Sequence, residues 1–230
     1  MQLYQKYRPK DWPEVVGQDA AVKSLLAFRD RNGGTFGGSM FFLQGKSGQG
    51  KTSLAKLVAA DCTGDCELST FEVGGPKVTA DWLNMIEERT AGRPLGGKGW
   101  AMIVNEVQSF KRDQVDRLND VLEHIPAYCV WVFSTTNTGS DRLFEIDEAP
   151  AFLSRAKKIK LAERDLCGPF AAKLVQVARA EGLLNGKPDS YYLPIAERQA
   201  KVEGNNFRAL YNWAEMGGFT AREEREGGDA

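Results

Sequence analysis

Residues 39–58, SMFFLQGKSGQGKTSLAKLV, constrain this chain more than any other stretch. Met40, Phe41, Phe42 and Leu43 form an apolar run long enough for a buried strand and too short for a helix. Gly45-Lys46-Ser47-Gly48-Gln49-Gly50-Lys51-Thr52 then fills every position of the GxxxxGK(S/T) pattern, and Leu54, Ala55, Leu57 and Val58 follow at helical spacing. A phosphate-binding loop requires this order of strand, glycine loop and helix. Its glycines let the backbone turn N–H groups inward, and the helix start adds partial positive charge. The pattern predicts a nucleoside triphosphate site built from Gly45, Ser47, Gly48, Gln49, Gly50, Lys51, Thr52 and Ser53. Lys51 is expected to reach the β- and γ-phosphates, and the Thr52 hydroxyl to ligate Mg2+.

The rest of the chain must supply a core and a second half to that site. Its 230 residues suit one large domain or two modest ones, and the formal net charge of −1 means that any nucleic-acid surface is a local patch. No run of 18 apolar residues occurs, and the N-terminus MQLYQKYRPKDW is polar; a soluble cytoplasmic protein without a membrane span or secretory signal is expected. Cys62 and Cys66 are close in sequence, but no second close pair completes a zinc site, and Cys129 lies in an apolar run. The single histidine, His124, ends a helical pattern with no nucleophile or acid beside it, which disfavours serine–histidine and cysteine–histidine hydrolysis.

Residues 1–18 read as irregular, with Pro9 and Pro13 breaking any helix, and Asp19 is placed to cap a helix through Leu25 and Leu26. After the glycine loop and its helix, apolar strands at 69–73, 100–104 and 128–133 alternate with helical patterns at 80–90 and 114–123. Such alternation predicts an α/β fold with a parallel sheet covered on both faces, and chemistry gathered beyond the carboxyl ends of the strands. Three of those ends are the glycine loop, Asn105-Glu106 and Thr136-Asn137. From Pro150 the character changes to a short strand-like 158–161 and then helices near 164–183, 188–200 and 205–216. The expected division is a nucleotide-binding domain over 1–161, a three-helix domain over 162–217 and a charged, apolar-poor, disordered tail over 218–230.

A hydrolytic site of this kind needs a carboxylate near the metal and a group that orients water. Glu106, one residue past an apolar strand, is placed to polarise that water. Asn105 stands where an Asp usually helps to hold Mg2+; its amide oxygen can accept a hydrogen bond from a metal-bound water but lacks the charge. Slower turnover or a higher Mg2+ requirement follows. Thr136 and Asn137 are candidates for contact with the γ-phosphate or the attacking water, though turn-forming residues at a strand end also have a purely structural reading.

Several separated segments together resemble the AAA+ clamp-loader ATPases, which include the bacterial γ/τ subunit and the small subunits of replication factor C. Tyr7-Arg8-Pro9-Lys10-Asp11-Trp12 followed by Val15-Val16-Gly17-Gln18 is similar to the family's adenine-wrapping segment, which implies base contacts from Tyr7, Pro9 and Val16. The NEV at 105–107 with Leu122-Glu123-His124-Ile125-Pro126 resembles the family's DEV…LLKTLEEPP. The sensor-1 position falls on Thr136, with Asn137 as the alternative. Leu153-Ser154-Arg155-Ala156 resembles the SRC motif, whose arginine enters a neighbouring subunit's ATP site; this implies that Arg155 acts in trans. The sensor-2 motif GxxR falls on Gly204-Asn205-Asn206-Phe207 without a gap, and a one-residue shift brings Arg208 to the key position.

That resemblance spans residues 4–217 and implies a P-loop AAA+ module followed by a helical lid. Asn105 and Ala156 depart from the family pattern, and the four-cysteine zinc module and helical collar have no counterpart in these residues. The implied function is an ATP- and Mg2+-dependent ATPase subunit of a sliding-clamp-loader-like complex in DNA replication. Its partners would be other AAA+ subunits, a sliding clamp and primer-template DNA, contacted through phosphates by Lys77, Lys111, Arg112 and Arg117. Two alternatives stand beside it: a nucleotide-switched scaffold with weak or no hydrolysis, suggested by Asn105, and another DNA-remodelling AAA+ ATPase such as a helicase loader.

Overall fold

The computed structural model describes residues 1–136 and 149–220. Their elements run α1 (Leu3–Lys6), α2 (Asp19–Arg31), β1 (Ser39–Gln44), α3 (Lys51–Thr63), β2 (Thr70–Gly74), α4 (Ala80–Thr90), β3 (Trp100–Asn105), α5 (Arg112–Glu123) and β4 (Cys129–Thr135). After the undescribed segment come α6 (Ala149–Arg155), β5 (Lys157–Lys160), α7 (Cys167–Ala180), α8 (Asp189–Val202) and α9 (Phe207–Glu215). Contacts divide these residues into two bodies. An α/β body holds 20–45 and 51–161; a helical body holds 1–19, 46–50 and the chain from 162. The tip of the glycine loop thus groups with the helices and with the N-terminal segment.

In the α/β body the five strands form one parallel sheet in the order β2-β3-β4-β1-β5. Parallel strands need crossovers, and the amphipathic helices between them supply the cover that lets both faces be buried. Strand side chains alternate. On one face Met40, Phe42, Met102, Val104, Trp131 and Phe133 pack against Leu83 and Ile86 of α4 and Val115, Leu118 and Leu122 of α5. On the other, α3 lies on β3 and β4 and buries Leu54, Ala55, Leu57 and Val58. The register places Gly74 beside Asn105 and Gln44 beside both Thr135 and Lys160, so five strand ends line up at one edge of the sheet.

The helical body is built on α7, α8 and α9. Its core of Phe170, Leu174, Val177, Tyr192, Ile195, Leu210 and Tyr211 also takes in Leu3 from the N-terminal segment and Phe219 beyond α9. Asn206 caps α9 by accepting a hydrogen bond from the Ala209 N–H at 3.2 Å.

Some local readings change in three dimensions. The first 18 residues are not wholly irregular: α1 forms, and Trp12–Glu14 makes one 3-10 turn with Pro13 in its first positions, where a missing N–H costs nothing. Asp19 lies inside the first turn of α2 rather than before it. The strand expected over 128–133 runs on to Thr135 because Ser134 and Thr135, although polar, pair in register with Leu43 and Gln44.

Candidate nucleotide site

In the α/β body, Gly45 leaves β1 with its N–H donating to the Thr135 carbonyl at 3.4 Å, which ties the start of the loop to the end of β4. Lys51 opens α3, and its Nζ donates to the Gly45 carbonyl at 2.7 Å, folding the ammonium back across the loop's base. Thr52 and Ser53 follow in the first turn of that helix, both half-buried. Beyond β3, Glu106 is exposed and takes up φ 62, ψ 45. A left-handed conformation at a glutamate costs about 1–3 kcal/mol, and such outliers cluster at functional sites. The surrounding turn holds it: the Glu106 carbonyl accepts from the Ser109 N–H at 3.0 Å and from Ser109 Oγ at 2.7 Å. Gly75 allows this approach, because a Cβ there would lie 2.6 Å from the Glu106 oxygen.

Asn105, just before it, is held from both sides. Its Nδ2 donates to Glu72 Oε1 at 2.9 Å, while Ser134 Oγ donates to its Oδ1 at 2.9 Å. Lys56 of α3 pairs with the other oxygen of Glu72 at 3.0 Å. A parallel link joins Thr135 Oγ1, donating at 3.0 Å, to Gln108 Oε1 in the turn after Glu106. Neither Glu72, Ser134 nor Gln108 carries a motif signature. The one sequence signal for Ser134 is its place in the hydroxyl-rich run 134–136 at the end of the fourth strand.

In the helical body, the loop tip is tied by side chains. The Lys46 N–H donates to Gln49 Oε1 at 2.8 Å, and Gln18 Nε2 reaches the carbonyls of Gln49 and Ala162, both at 3.3 Å. Gln18 Oε1 in turn accepts from the Ala162 N–H at 2.7 Å. Gly48 (φ +74) lies against the start of α9: its carbonyl accepts from the Phe207 N–H at 3.2 Å, and any Cβ would fall 1.8 Å from Asn206 Oδ1. Gly50 has φ +98, and a Cβ there would meet no atom within 4 Å. Gln49 is 2% exposed, and its Nε2 is buried without a hydrogen-bond partner. A buried spare donor within the glycine loop fits an anionic, polyphosphate ligand.

Tyr7 and Val16 pack half-buried against the helical core, and Pro9 is half-buried. The Tyr7 hydroxyl donates to Glu181, as does Lys6 Nζ at 2.6 Å. Those two hydrogen bonds, Lys6 first, hold the Glu181 carboxyl below its ordinary range, while the Glu181 contact raises Lys6 and Tyr7. Phe207 is stacked between Phe170 and Tyr211, at 4.5 and 4.6 Å between centroids, and is committed to the core. The Arg208 guanidinium lies 5.1 Å from the centre of the Tyr4 ring. Thr136 follows the end of β4, and Asn137 lies outside the described residues. Arg155 is not brought to the strand ends of its own chain. It ends α6, before β5 begins beside Phe41, and its Nη1 donates to the Ala151 carbonyl at 2.9 Å. Of the expected basic patch, Arg117 is engaged by Glu87 and by Asn84.

No family model matches the chain. A structure of Thermotoga maritima RuvB superposes with a TM-score of 0.63 at 20% identity, covering 90% of this chain and 64% of that one. This is the AAA+ P-loop fold. By sequence, the chain is 25% identical over 195 residues to DNA polymerase III subunit gamma/tau of Mycoplasma pneumoniae, covering 76% of this chain and 28% of the relative. It is 26% identical over 207 residues to Protein STICHEL-like 2 of Arabidopsis thaliana, covering 79% and 22%. The matches to gamma/tau subunits agree with the clamp-loader resemblance carried by the motifs. The chain spans about a quarter of the length of these curated relatives. Among the described residues, no helix is long and apolar enough to cross a membrane.

Proposed function

We propose that this chain is an ATP-binding and ATP-hydrolysing subunit of a sliding-clamp-loader-like assembly in DNA replication, acting in the cytoplasm. The observation that carries the reading is the alignment at one sheet edge of the Lys51–Thr52 helix start with Asn105 and the left-handed Glu106. Lys51 would neutralise the β- and γ-phosphates, Thr52 and, through water, Asn105 would hold Mg2+, and Glu106 would polarise the attacking water. Bound Mg2+ would supply charge neutralisation on the phosphate oxygens. Thr136 or Asn137 senses the γ-phosphate, Arg208 contacts phosphate from the first turn of α9, and Tyr7, Pro9 and Val16 face the base. Arg155 serves a neighbouring subunit, in keeping with its distance along the sheet from its own strand ends. Other AAA+ subunits, a sliding clamp and primer-template DNA are the partners, with Lys77, Lys111 and Arg112 as the phosphate contacts.

The test is calorimetry with ATP and Mg2+, followed by turnover measured with the partner subunits, clamp and primed DNA. Nucleotide uptake, and turnover stimulated by primed DNA and abolished in Glu106→Gln, supports the reading; no uptake of adenine nucleotide by the purified chain overturns it. The double engagement of Asn105 favours a second reading, a nucleotide-switched scaffold with little hydrolysis. That reading predicts nucleotide binding at full stoichiometry with turnover equal in the parent chain and Glu106→Gln.

A further inference from the structure

An asparagine at the metal-facing strand end raises a question of orientation. A primary amide presents an acceptor on one side and a donor on the other, and only the acceptor suits a metal-bound water. Side-chain rotation by half a turn exchanges the two at little intrinsic cost. Neighbouring groups therefore decide which end is offered.

At Asn105 they decide it unequally. Ser134 is a hydroxyl and can donate or accept, so it would satisfy either end of the amide. Glu72 is a carboxylate and accepts only, so the atom 2.9 Å from its Oε1 must be the amide nitrogen. The carboxylate is itself held in place, since Lys56 on α3 pairs with Oε2 at 3.0 Å. With the amide so fixed, Asn105 Oδ1 accepts one hydrogen bond from Ser134 and keeps a second lone pair.

We propose that Glu72 is a positioning residue of the metal–nucleotide site: by accepting from Asn105 Nδ2 it locks the amide with its oxygen, not its nitrogen, available to the hydrated Mg2+. This rests on the nucleotide-site reading above and adds a residue to it from a neighbouring strand. Removing the acceptor frees the amide to turn and offer N–H to the cation's shell. Retaining an acceptor without the charge preserves the orientation, because a glutamine carbonyl at position 72 can take the same hydrogen bond.

The experiment compares the parent chain with Glu72→Ala and Glu72→Gln. It measures the affinity of a fluorescent ATP analogue as a function of Mg2+ and again in excess chelator, with thermal melts to verify folding. We expect Glu72→Ala to raise the half-saturating Mg2+ at least fivefold while leaving chelator affinity within twofold, and Glu72→Gln to stay within twofold on both. Ser134→Ala should change the Mg2+ requirement less than Glu72→Ala, since it leaves the orienting acceptor in place. An unchanged Mg2+ requirement in Glu72→Ala overturns the proposal while the nucleotide site stands. Equal losses in Glu72→Ala and Glu72→Gln also overturn it, by showing that the charge near Lys56 matters and the amide orientation does not. A parent chain that binds no analogue at any Mg2+ concentration overturns the nucleotide site and this inference with it.

Discussion

The strand ends of the α/β body and the core of the helical body order their side chains in different ways. At the strand ends, polar side chains are partnered with one another: Lys56 with Glu72, Glu72 with Asn105, Asn105 with Ser134, and Thr135 with Gln108. In the helical body, side-chain hydrogen bonds of Gln18 and Gln49 tie the loop tip, while the helices themselves are ordered by apolar and aromatic packing. Two buried polar atoms there, Gln49 Nε2 and the Tyr211 hydroxyl, lack a hydrogen-bond partner. Burial raises the Tyr211 phenol well above its ordinary pKa, with a smaller push from Tyr7. A cross-strand hydrogen-bond chain fixes side-chain direction, whereas aromatic stacking fixes position and leaves polar atoms uncommitted.

The largest effect should come from the strand ends. Glu106→Gln keeps size and hydrogen bonding but removes the carboxylate, and turnover should fall by about 100-fold or more while calorimetric affinity for the nucleotide changes little. Equal losses in both would show that Glu106 serves binding. Next, Gly75→Ala drives a methyl into the Glu106 carbonyl and Ser109 Oγ, 2.6 and 2.5 Å from the added carbon. Overpacking of that kind costs about 1–3 kcal/mol in chemical denaturation; a neutral result would mean that the turn holding Glu106 yields readily, against the rigidity inferred for this edge.

A smaller change is expected in the helical body. Asn206→Ala removes the cap that accepts from the Ala209 N–H, at a cost of about 1 kcal/mol. If the melting curve moved as far as for Gly75→Ala, the contrast between a wired edge and a packed body would be lost. The smallest effect concerns Glu181, whose carboxyl is held low by Lys6 and Tyr7. A depressed folded-state pKa contributes stability above the unfolded value, here near 4.5, and loses it as pH falls through the lower folded value. Glu181→Gln should therefore flatten the acid limb of the stability curve slightly and leave neutral behaviour almost unchanged, because the contact is exposed and screened.

Much of this arrangement can be read without coordinates. The strand–glycine loop–helix unit, the alternation that demands a parallel sheet, and the cap at Asn206 each depend on neighbours within a few residues, where periodicity and glycine placement act directly. The extension of β4 through two polar residues was not legible, because Ser134 and Thr135 join the strand through partners on β1 rather than through their own propensity. Nor was the place of the N-terminal segment: residues 1–18 read as an irregular, proline-broken stretch, yet Leu3 and Tyr7 pack with the helices beyond residue 162.

By itself, then, the amino-acid order determined that this chain carries a phosphate loop on an α/β sheet, followed by a helical part, with an amide and a carboxylate in succession at a strand end. Tertiary structure alone decided which way that amide faces, since its partners Glu72 and Ser134 lie 33 and 29 residues away in the chain. Local pattern sets backbone conformation through short-range sterics and burial. The direction of a polar side chain is set by whichever donors and acceptors the strand register brings within about 3 Å, and register is a property of the assembled sheet.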